Sequence, residues 1–385
     1  MRASRAGTVA LVTAALAAVA AGCGSSSNDA SSGSSGAAAG DSGSTQAAKQ
    51  AESLYKAAQK MPSFEAPGDP VDAAKVNGKT IWIVLGNGAV PFLVQIADGI
   101  KEAAAAVGVN VKMVDGKGQA PNWSKIMKEA VSQHADAIIT DGAPPTLIKK
   151  DIAAAGAAHI PVVDTLDLDQ TDPLVDGQFA TVSISFAESG ARQADYVIAQ
   201  QRGKPTHVLV YGDSEFPSEV KRVEGIKAEF AKLAPNIEVT VKDTLVSKIA
   251  TDLRGQTQTD LRRDPKIEWV LPTYDAQALY VVPAIKTGGM ADKVKVDSSD
   301  AVKANLDFVA KGDVQVFDVG PPDIWIGWAA VDAALRGMLG QDPVDEHVPL
   351  RAFVKENLQG VDTGDQDALF GSAFRDGYKQ LWGVG

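Results

Sequence analysis

From Lys79 onward, short apolar and β-branched runs alternate with longer stretches whose apolar residues recur at a helical period. The short runs predict strands at 81–85, 109–114, 137–140, 161–163, 181–184, 207–211, 237–241, 267–271, 294–296 and 314–317. The longer stretches predict helices that include 92–106, 123–133, 188–201, 220–233, 276–287 and 324–339. Strand, helix and strand at this spacing predict βαβ units, and therefore parallel sheets covered by helices on both faces.

The number of strands predicts more than one sheet. About ten strands over roughly 300 residues exceed what a single core holds comfortably. We therefore expect an α/β fold with two doubly wound parallel-sheet lobes. A closed eight-stranded barrel is the competing architecture.

The first 23 residues have the three parts of a secretory signal. Arg2 and Arg5 precede an apolar run at 9–20, and small residues then lead to Cys23. The apolar run is shorter than the ~20 residues that span a bilayer, which disfavours a transmembrane anchor. An ordinary cleaved signal with an incidental cysteine is one interpretation. The small-small-Gly-Cys sequence resembles the bacterial lipobox instead, which implies removal of residues 1–22 and lipidation of Cys23.

The segment after Cys23 predicts a flexible connection to the folded part. Residues 24–46 are almost entirely Ser, Gly, Ala and Asp, so they have no large apolar side chain to offset the entropy of ordering. Residues 47–60 favour a short helix, which the prolines at 62, 67 and 70 end. Residues 23–77 are thus predicted to be tether and short helix, with folding proper from near Gly78.

Composition and charge exclude several functions. The 385 residues contain 37 Lys and Arg against 48 Asp and Glu, a net charge of −11 that repels nucleic acid and anionic headgroups. One cysteine cannot form an internal disulfide, and four separated histidines make no zinc cluster. We expect no cofactor, and we expect the protein to be a monomer.

Several short sequences serve as landmarks along the chain, at 90–92 (Val-Pro-Phe), 135–139, 155–156, 160–163, Arg222 with 225–226, 274–279 and 354–357. Together they resemble the type I periplasmic sugar-binding protein family, the solute receptors of ATP-binding-cassette (ABC) importers. The resemblance covers about 78–361. The alternation of strands and helices breaks at 183–185, 318–322 and 341–345, which predicts three chain crossings that form a hinge between the two lobes. Lobe 1 is then expected at 79–183 with 323–345, lobe 2 at 186–318 with 346–361, and a C-terminal extension at 362–385.

Residues that follow the predicted strands are the candidates for ligand binding, because open α/β sheets bind ligands outside the carboxyl ends of their strands. The candidates are Asn87, Phe92, Asp141, Asp164, Phe186, Asp213, Tyr274, Asp275, Asp297 and Asp318. Any one Asp could instead cap the following helix. Six Asp residues around one cleft suggest that some accept hydrogen bonds from ligand hydroxyls or neutralise a cationic ligand.

Aromatic residues would supply the walls of that cleft. We expect Phe92 and Tyr274 on opposite walls, with Asp141 and Asp275 as polar anchors, whereas Trp325 and Trp328 are expected in the core. Pentose and hexose receptors usually have polar residues where this chain has Val90, Val220, Gly320 and Ser185-Phe186. These departures disfavour a simple ribose-type or glucose-type ligand and favour a partly apolar or nitrogen-containing one.

Motifs for catalysis are poor, and no enzyme activity is expected. Residues 86–88 (Gly-Asn-Gly) lack the third glycine of a dinucleotide fingerprint, and residues 212–216 lack the second glycine of a nucleophile elbow. The predicted function is a lipid-tethered receptor that closes on a small molecule and delivers it to an ABC permease. A sensory receptor read by a signalling protein is the alternative. A repressor of this fold is excluded, because the export signal and tether stand where a basic helix-turn-helix would be.

Overall fold

The computed structural model describes residues 37–385, and the predicted signal peptide and Cys23 lie outside that range. Two separate sheets organise the chain. The first has five parallel strands in the order β2-β1-β3-β4-β5. These are β1 (Thr80–Leu85), β2 (Asn110–Asp115), β3 (Ala137–Asp141), β4 (Val162–Thr165) and β5 (Ala180–Val182).

The second sheet has six strands in the order β11-β10-β9-β8-β6-β7. They are β6 (His207–Gly212), β7 (Glu238–Asp243), β8 (Ile267–Pro272), β9 (Lys295–Ser299), β10 (Gln315–Gly320) and β11 (Arg351–Phe353). Only β11 runs antiparallel, beside β10. The predicted α/β class with two parallel-sheet lobes is confirmed, and neither sheet closes into a barrel. The residue boundaries of the lobes remain a prediction.

Helices cover both faces of each sheet. They are α1 (Ala37–Ala58), α2 (Pro91–Ala106), α3 (Ala120–Ser132), α4 (Lys149–Ala157), α5 (Phe186–Gln201), α6 (Pro217–Leu233), α7 (Arg254–Arg263), α8 (Asp275–Thr287), α9 (Lys303–Lys311), α10 (Asp323–Met338), α11 (Gln366–Phe370) and α12 (Ala373–Leu381). Proline stands in the first turn of α2, α3 and α6, where the backbone N–H it lacks would have no helical partner. Among residues 37–385, no helix is both long and apolar enough to cross a membrane.

Glycines set the closest helix crossing in each lobe. A Cβ at Gly99 of α2 would lie 2.4 Å from the Ile324 carbonyl oxygen, and one at Gly327 of α10 would lie 2.4 Å from the Ile100 nitrogen. On the second sheet, a Cβ at Gly190 of α5 would meet the Arg222 carbonyl at 2.1 Å, and one at Gly225 of α6 would meet the Ala187 carbonyl at 2.0 Å. The backbones of α2 and α10, and of α5 and α6, are therefore in direct contact.

The C-terminal residues belong to the core beside the first sheet. Trp328 stacks on Trp382 with ring centroids 5.3 Å apart, and Trp325 stacks on Phe374 at 5.0 Å. Trp325 and Trp328 are 3% and 1% exposed, so the prediction that both are core residues is confirmed. The segment expected to be an extension thus completes the hydrophobic core around α10.

Folding begins earlier than the sequence predicts. Helix α1 starts at Ala37 rather than near residue 47, and Tyr55 is buried with its ring edge against Tyr196 and Phe317. Further along, Val71 and Val76 are buried in the core of the first sheet. The expectation that folding proper starts near Gly78 is wrong, because this segment is anchored by a few large apolar side chains in an otherwise polar sequence.

Candidate functional site

Most of the buried Asp and Glu side chains outside the helices lie at or near the C-terminal ends of the strands in the two sheets. Polar residues extend several strands beyond the apolar runs that predicted them, so the strand ends fall later than expected. Asp164, Asp297 and Asp318 consequently lie within β4, β9 and β10 rather than after them. Asp141 is the last residue of β3, and Asp213 directly follows β6.

Two carboxyl groups at the end of the first sheet face opposite sides of it. Asp164 lies between Thr140 and Thr181 in the strand register and accepts hydrogen bonds from both hydroxyls, at 3.3 and 3.0 Å. Asp141 shares the other face with Thr165, whose hydroxyl donates to Asp141 Oδ1 at 3.2 Å. Because successive strand residues alternate between faces, Asp164 lies on the side of α3 and α4 and Asp141 on the side of α2 and α10.

Asp167 joins Asp164 at this end of the sheet and was not predicted. Burial raises the pKa of Asp164 to about 6, and burial together with the neighbouring Asp164 charge raises the pKa of Asp167 well above its usual range. Burial and the Asp164 charge therefore favour the protonated form of Asp167. Asp167 lies two residues beyond the end of β4, so a correct strand end would have identified it.

Arg222 is the centre of the polar cluster at the end of the second sheet. Its Nη1 donates to Glu219 Oε1 at 3.1 Å and to the Thr273 carbonyl at 2.7 Å, and its Nη2 donates to Asp300 Oδ1 at 2.7 Å. The guanidinium is 5.0 Å from the centre of the Phe186 ring, and Arg222 is only 2% exposed. Burial raises the pKa of Glu219 to about 7.

Asp300 occupies the position that the sequence analysis gave to Asp297. It follows β9 directly, with φ of 126°, and Ala301 after it has φ of 59°. Two consecutive non-glycine residues with positive φ are unusual and need support from their surroundings. Asp318 Oδ1 accepts the Ala301 N–H at 3.0 Å, and Asp275 Oδ2 accepts the Val302 N–H at 2.8 Å.

Asp275 and Asp318 therefore hold the loop that presents Asp300 to Arg222. Burial raises the pKa of Asp318 to about 7, and burial together with the Asp318 charge raises that of Asp275 well above its usual range. Asp297 lies below this loop, three residues before Asp300, where burial raises its pKa well above the usual range and neither carboxyl oxygen has a hydrogen-bond partner among the described residues.

The aromatic candidates differ in their surroundings. The Tyr274 hydroxyl donates to Asp213 Oδ2 at 2.9 Å, which joins two predicted residues. Phe92 is partly buried and packs against the core of the first sheet from the first turn of α2. Phe186 is 3% exposed and belongs to that same core, although it begins a helix that covers the second sheet. Asn87 accepts the Ala89 N–H at 3.0 Å, within the loop after β1.

Asp323 is a further buried carboxyl that the sequence analysis did not single out. It begins α10, where the chain returns from β10 towards the first sheet, and it is 2% exposed. Burial, Asp300 and Asp141 together raise the pKa of Asp323 well above its usual range. Asp323 therefore lies within electrostatic reach of the strand ends of both sheets. A polar residue beside the predicted hinge prolines was the signal available in the sequence.

Among residues 37–385, no group of three or more His, Cys, Asp or Glu side chains is arranged to hold a metal ion. The site instead combines many carboxyl groups, one guanidinium and several rings at the carboxyl ends of two sheets. This is the arrangement in which two-lobed α/β proteins enclose a small polar molecule. The binding roles of the individual residues remain predictions.

The chain is similar to known binding proteins. A family model described as a periplasmic binding protein domain matches residues 81–342. The D-apiose import binding protein of Actinobacillus succinogenes is 24% identical over 236 residues, which cover 60% of this chain and 73% of that protein. The ribose import binding protein RbsB of Bacillus subtilis is 26% identical over 206 residues, which cover 52% of this chain and 63% of that protein.

Solved structures share the fold. A glucose-galactose binding protein, GanP, of Geobacillus stearothermophilus aligns with a TM-score of 0.65 at 18% identity, covering 73% of this chain and 99% of that one. An ABC transporter solute-binding protein of Bacillus halodurans with bound myo-inositol aligns at 0.66 and 22% identity, covering 75% and 99%. Since the family model spans well over half of the sequence and the two-sheet fold agrees with it, this chain belongs to the type I periplasmic sugar-binding protein family.

Proposed function

We propose that this protein is the extracytoplasmic solute-binding component of an ABC importer, which closes on a small sugar-like or nitrogen-containing molecule and delivers it to a permease. The observation that carries the proposal is the Arg222 cluster at the strand ends of the second sheet, with Asp141 at the strand ends of the first. Membership of a family of extracytoplasmic binding proteins supports the same function. Lipidation of Cys23 would anchor the protein, which membrane fractionation of a Cys23→Ser variant tests.

A ligand screen tests the binding function directly. Thermal melting of the mature protein with pentoses, hexoses, polyols and their amino derivatives should show stabilisation by at least one compound. A ligand present at 100 times its dissociation constant stabilises the native state by about 2.7 kcal/mol. If none of the compounds stabilises the protein, the proposal is contradicted.

Ring substitutions then test the predicted walls. Tyr274→Ala and Phe92→Ala should each raise the dissociation constant of the ligand about tenfold or more, because burial of an aromatic face contributes roughly 1.5–3 kcal/mol. Calorimetric titration measures the affinity, and melting shows whether each variant folds. Tyr280→Ala is the matched control, since Tyr280 is also partly buried but lies further along α8. Unchanged affinity in both wall variants would show that the predicted walls are wrong.

A further inference from the structure

The one guanidinium in the site is already neutralised by the protein. Arg222 forms ion pairs with Glu219 at 3.1 Å and with Asp300 at 2.7 Å, and its other Nη1 contact is a backbone carbonyl. Two carboxyl groups therefore accompany one positive charge. Asp141, Asp213 and Asp323 are additional carboxyl groups at or beside the same strand ends, so the site as a whole has an excess of acid.

Two of these additional carboxyl groups keep an oxygen without a donor. Asp141 is 0% and Asp323 2% exposed, and their atoms Asp141 Oδ2 and Asp323 Oδ1 have no hydrogen-bond partner among the described residues. They come from different elements, the end of β3 and the start of α10, and α10 packs against β3. A buried polar atom without a partner is costly, and such atoms in native proteins are commonly completed by a ligand, water or ion.

A positively charged hydrogen-bond donor on the ligand suits two buried carboxyl oxygens best. Burial raises the pKa of both Asp141 and Asp323 well above the usual range, so a nearby positive charge is needed to stabilise their ionised forms. A ligand hydroxyl brings no charge, whereas an ammonium group donates three hydrogen bonds and brings the positive charge. Leaving a buried charge unpaired costs far more free energy than pairing it with an opposite charge. Two further carboxyl groups lie at strand ends of the two sheets, since Asp115 at the end of β2 accepts the Gly88 N–H and Asp243 at the end of β7 accepts the Ser214 N–H. This acidic surrounding favours the approach of cations.

We propose that the ligand carries a positively charged nitrogen, as in an amino-substituted sugar or polyol, and that the unpartnered oxygens of Asp141 and Asp323 bind its ammonium group. This inference rests on the proposed function and narrows the class of its ligand. It also separates the Asp residues by role. Asp275 Oδ2 and Asp318 Oδ1 accept backbone N–H groups of the Asp300 loop, so these two residues position that loop, although Asp275 Oδ1 also lacks a hydrogen-bond partner among the described residues. Asp141 and Asp323 lie outside that loop, and each keeps one unpartnered oxygen.

Matched pairs of compounds test the inference. D-glucosamine, D-galactosamine, D-mannosamine and 6-amino-6-deoxy-D-glucose are titrated calorimetrically at pH 7 beside the parent sugars, which replace the ammonium group with a hydroxyl of similar size. At least one amino compound should bind tenfold or more tightly than its parent. Equal or tighter binding of every parent sugar would overturn the inference and leave the proposed function standing. Failure of all compounds in both sets to bind would count against both.

Two isosteric variants locate the charge that recognises the amine. Asp141→Asn and Asp323→Asn should each reduce the ratio of amine to parent affinity at least tenfold, with melting confirming that each variant is folded. Asp136→Asn is the control, because Asp136 precedes the opposite end of the same strand and pairs with Lys79. If both site variants retain the ratio of the unmodified protein, the assignment of these two carboxyl groups is overturned.

Discussion

At the residue scale, the site depends on which donors give hydrogen bonds to each buried carboxyl group. Asp164 accepts hydrogen bonds from two threonine hydroxyls, and Asp300 accepts one from the Arg222 guanidinium. Asp318 accepts a backbone N–H and also the Gln315 side-chain amide at 3.0 Å. These groups stabilise the strand ends without a ligand. Only carboxyl oxygens that lack such donors keep free binding capacity, as Asp141 Oδ2 does beside its Thr165-bonded Oδ1, which is why similar residues at similar positions have different roles.

Asp297 gives a prediction about pH. Its raised folded-state pKa means that the native state favours the protonated form, so its stabilising contribution is full below the unfolded pKa of about 4 and is lost as pH rises towards the folded value. Asp297→Asn cannot ionise, so the unfolding free energy of this variant should decline less steeply with pH above about 4 than that of the unmodified protein. Urea denaturation of the ligand-free protein at several pH values measures this slope.

The control for that experiment is Asp292→Asn, since Asp292 is exposed in the turn before β9 and should leave the slope unchanged. Far-UV circular dichroism of both variants checks that the substitution keeps the native fold. An Asp297→Asn protein with the same pH slope as the unmodified protein would contradict the idea that this carboxyl holds its proton when folded.

At the element scale, the sequence predicted the parallel sheets well. Each of the ten predicted strand runs overlaps an observed strand, because buried parallel strands require continuous apolar runs that stand out in the sequence. Strand β11 was missed, since three residues paired antiparallel at a sheet edge leave no periodic pattern. Strand ends were placed too early wherever a polar residue continued a strand, as at Asp297 and Asp318. The positions of these two residues relative to the strand ends were therefore wrong, while their roles in ligand binding stay predictions.

The contact between α5 and α6 gives a prediction for the element that carries Arg222. Gly225→Ala would place a Cβ 2.0 Å from the Ala187 carbonyl oxygen, so the two helices must move apart. We expect a loss of about 1–3 kcal/mol of unfolding free energy, the range for overpacking a well-packed contact, and weaker ligand binding because Arg222 lies on the displaced helix. Denaturation and calorimetric titration measure the two effects.

Gly255→Ala is the matched control, because Gly255 lies in α7 and a Cβ there would meet no atom within 4 Å. Alanine in a helix is favoured over glycine by roughly 0.5–1 kcal/mol, so this variant should be as stable as the original protein or slightly more. If Gly225→Ala behaves like Gly255→Ala, the direct backbone contact between α5 and α6 is not essential.

At the scale of the whole molecule, the N-terminal segment connects the two lobes in addition to the predicted hinge. Helix α1 packs on α5 and α6, and Arg351 Nε of β11 donates to the Gln59 carbonyl at 3.1 Å. The same segment then reaches the other core, where Phe64 lies 4.8 Å from the Tyr378 ring and Arg336 Nη2 donates to the Asp69 carbonyl at 3.1 Å. Residues 59–71, which we term the strap, are thus fixed at both ends and should limit how far the lobes open.

Lengthening the strap tests this limit. An insertion of about twelve Gly and Ser residues after the exposed Met61 should let the ligand-free lobes separate further, while the stability cost of the longer loop stays small. Spin labels at Met113→Cys on β2 and Val241→Cys on β7, in a Cys23→Ser background, report the distance between outer strands of the two sheets. The ligand-free distribution should shift to longer distances, and the ligand-bound one should remain unchanged, because closure on ligand does not strain the strap. The same insertion at Gly289, where a Cβ would meet nothing within 4 Å, should leave both distance distributions unchanged.

Identical ligand-free distances with the original and the lengthened strap would show that the three hinge crossings alone limit how far the lobes open.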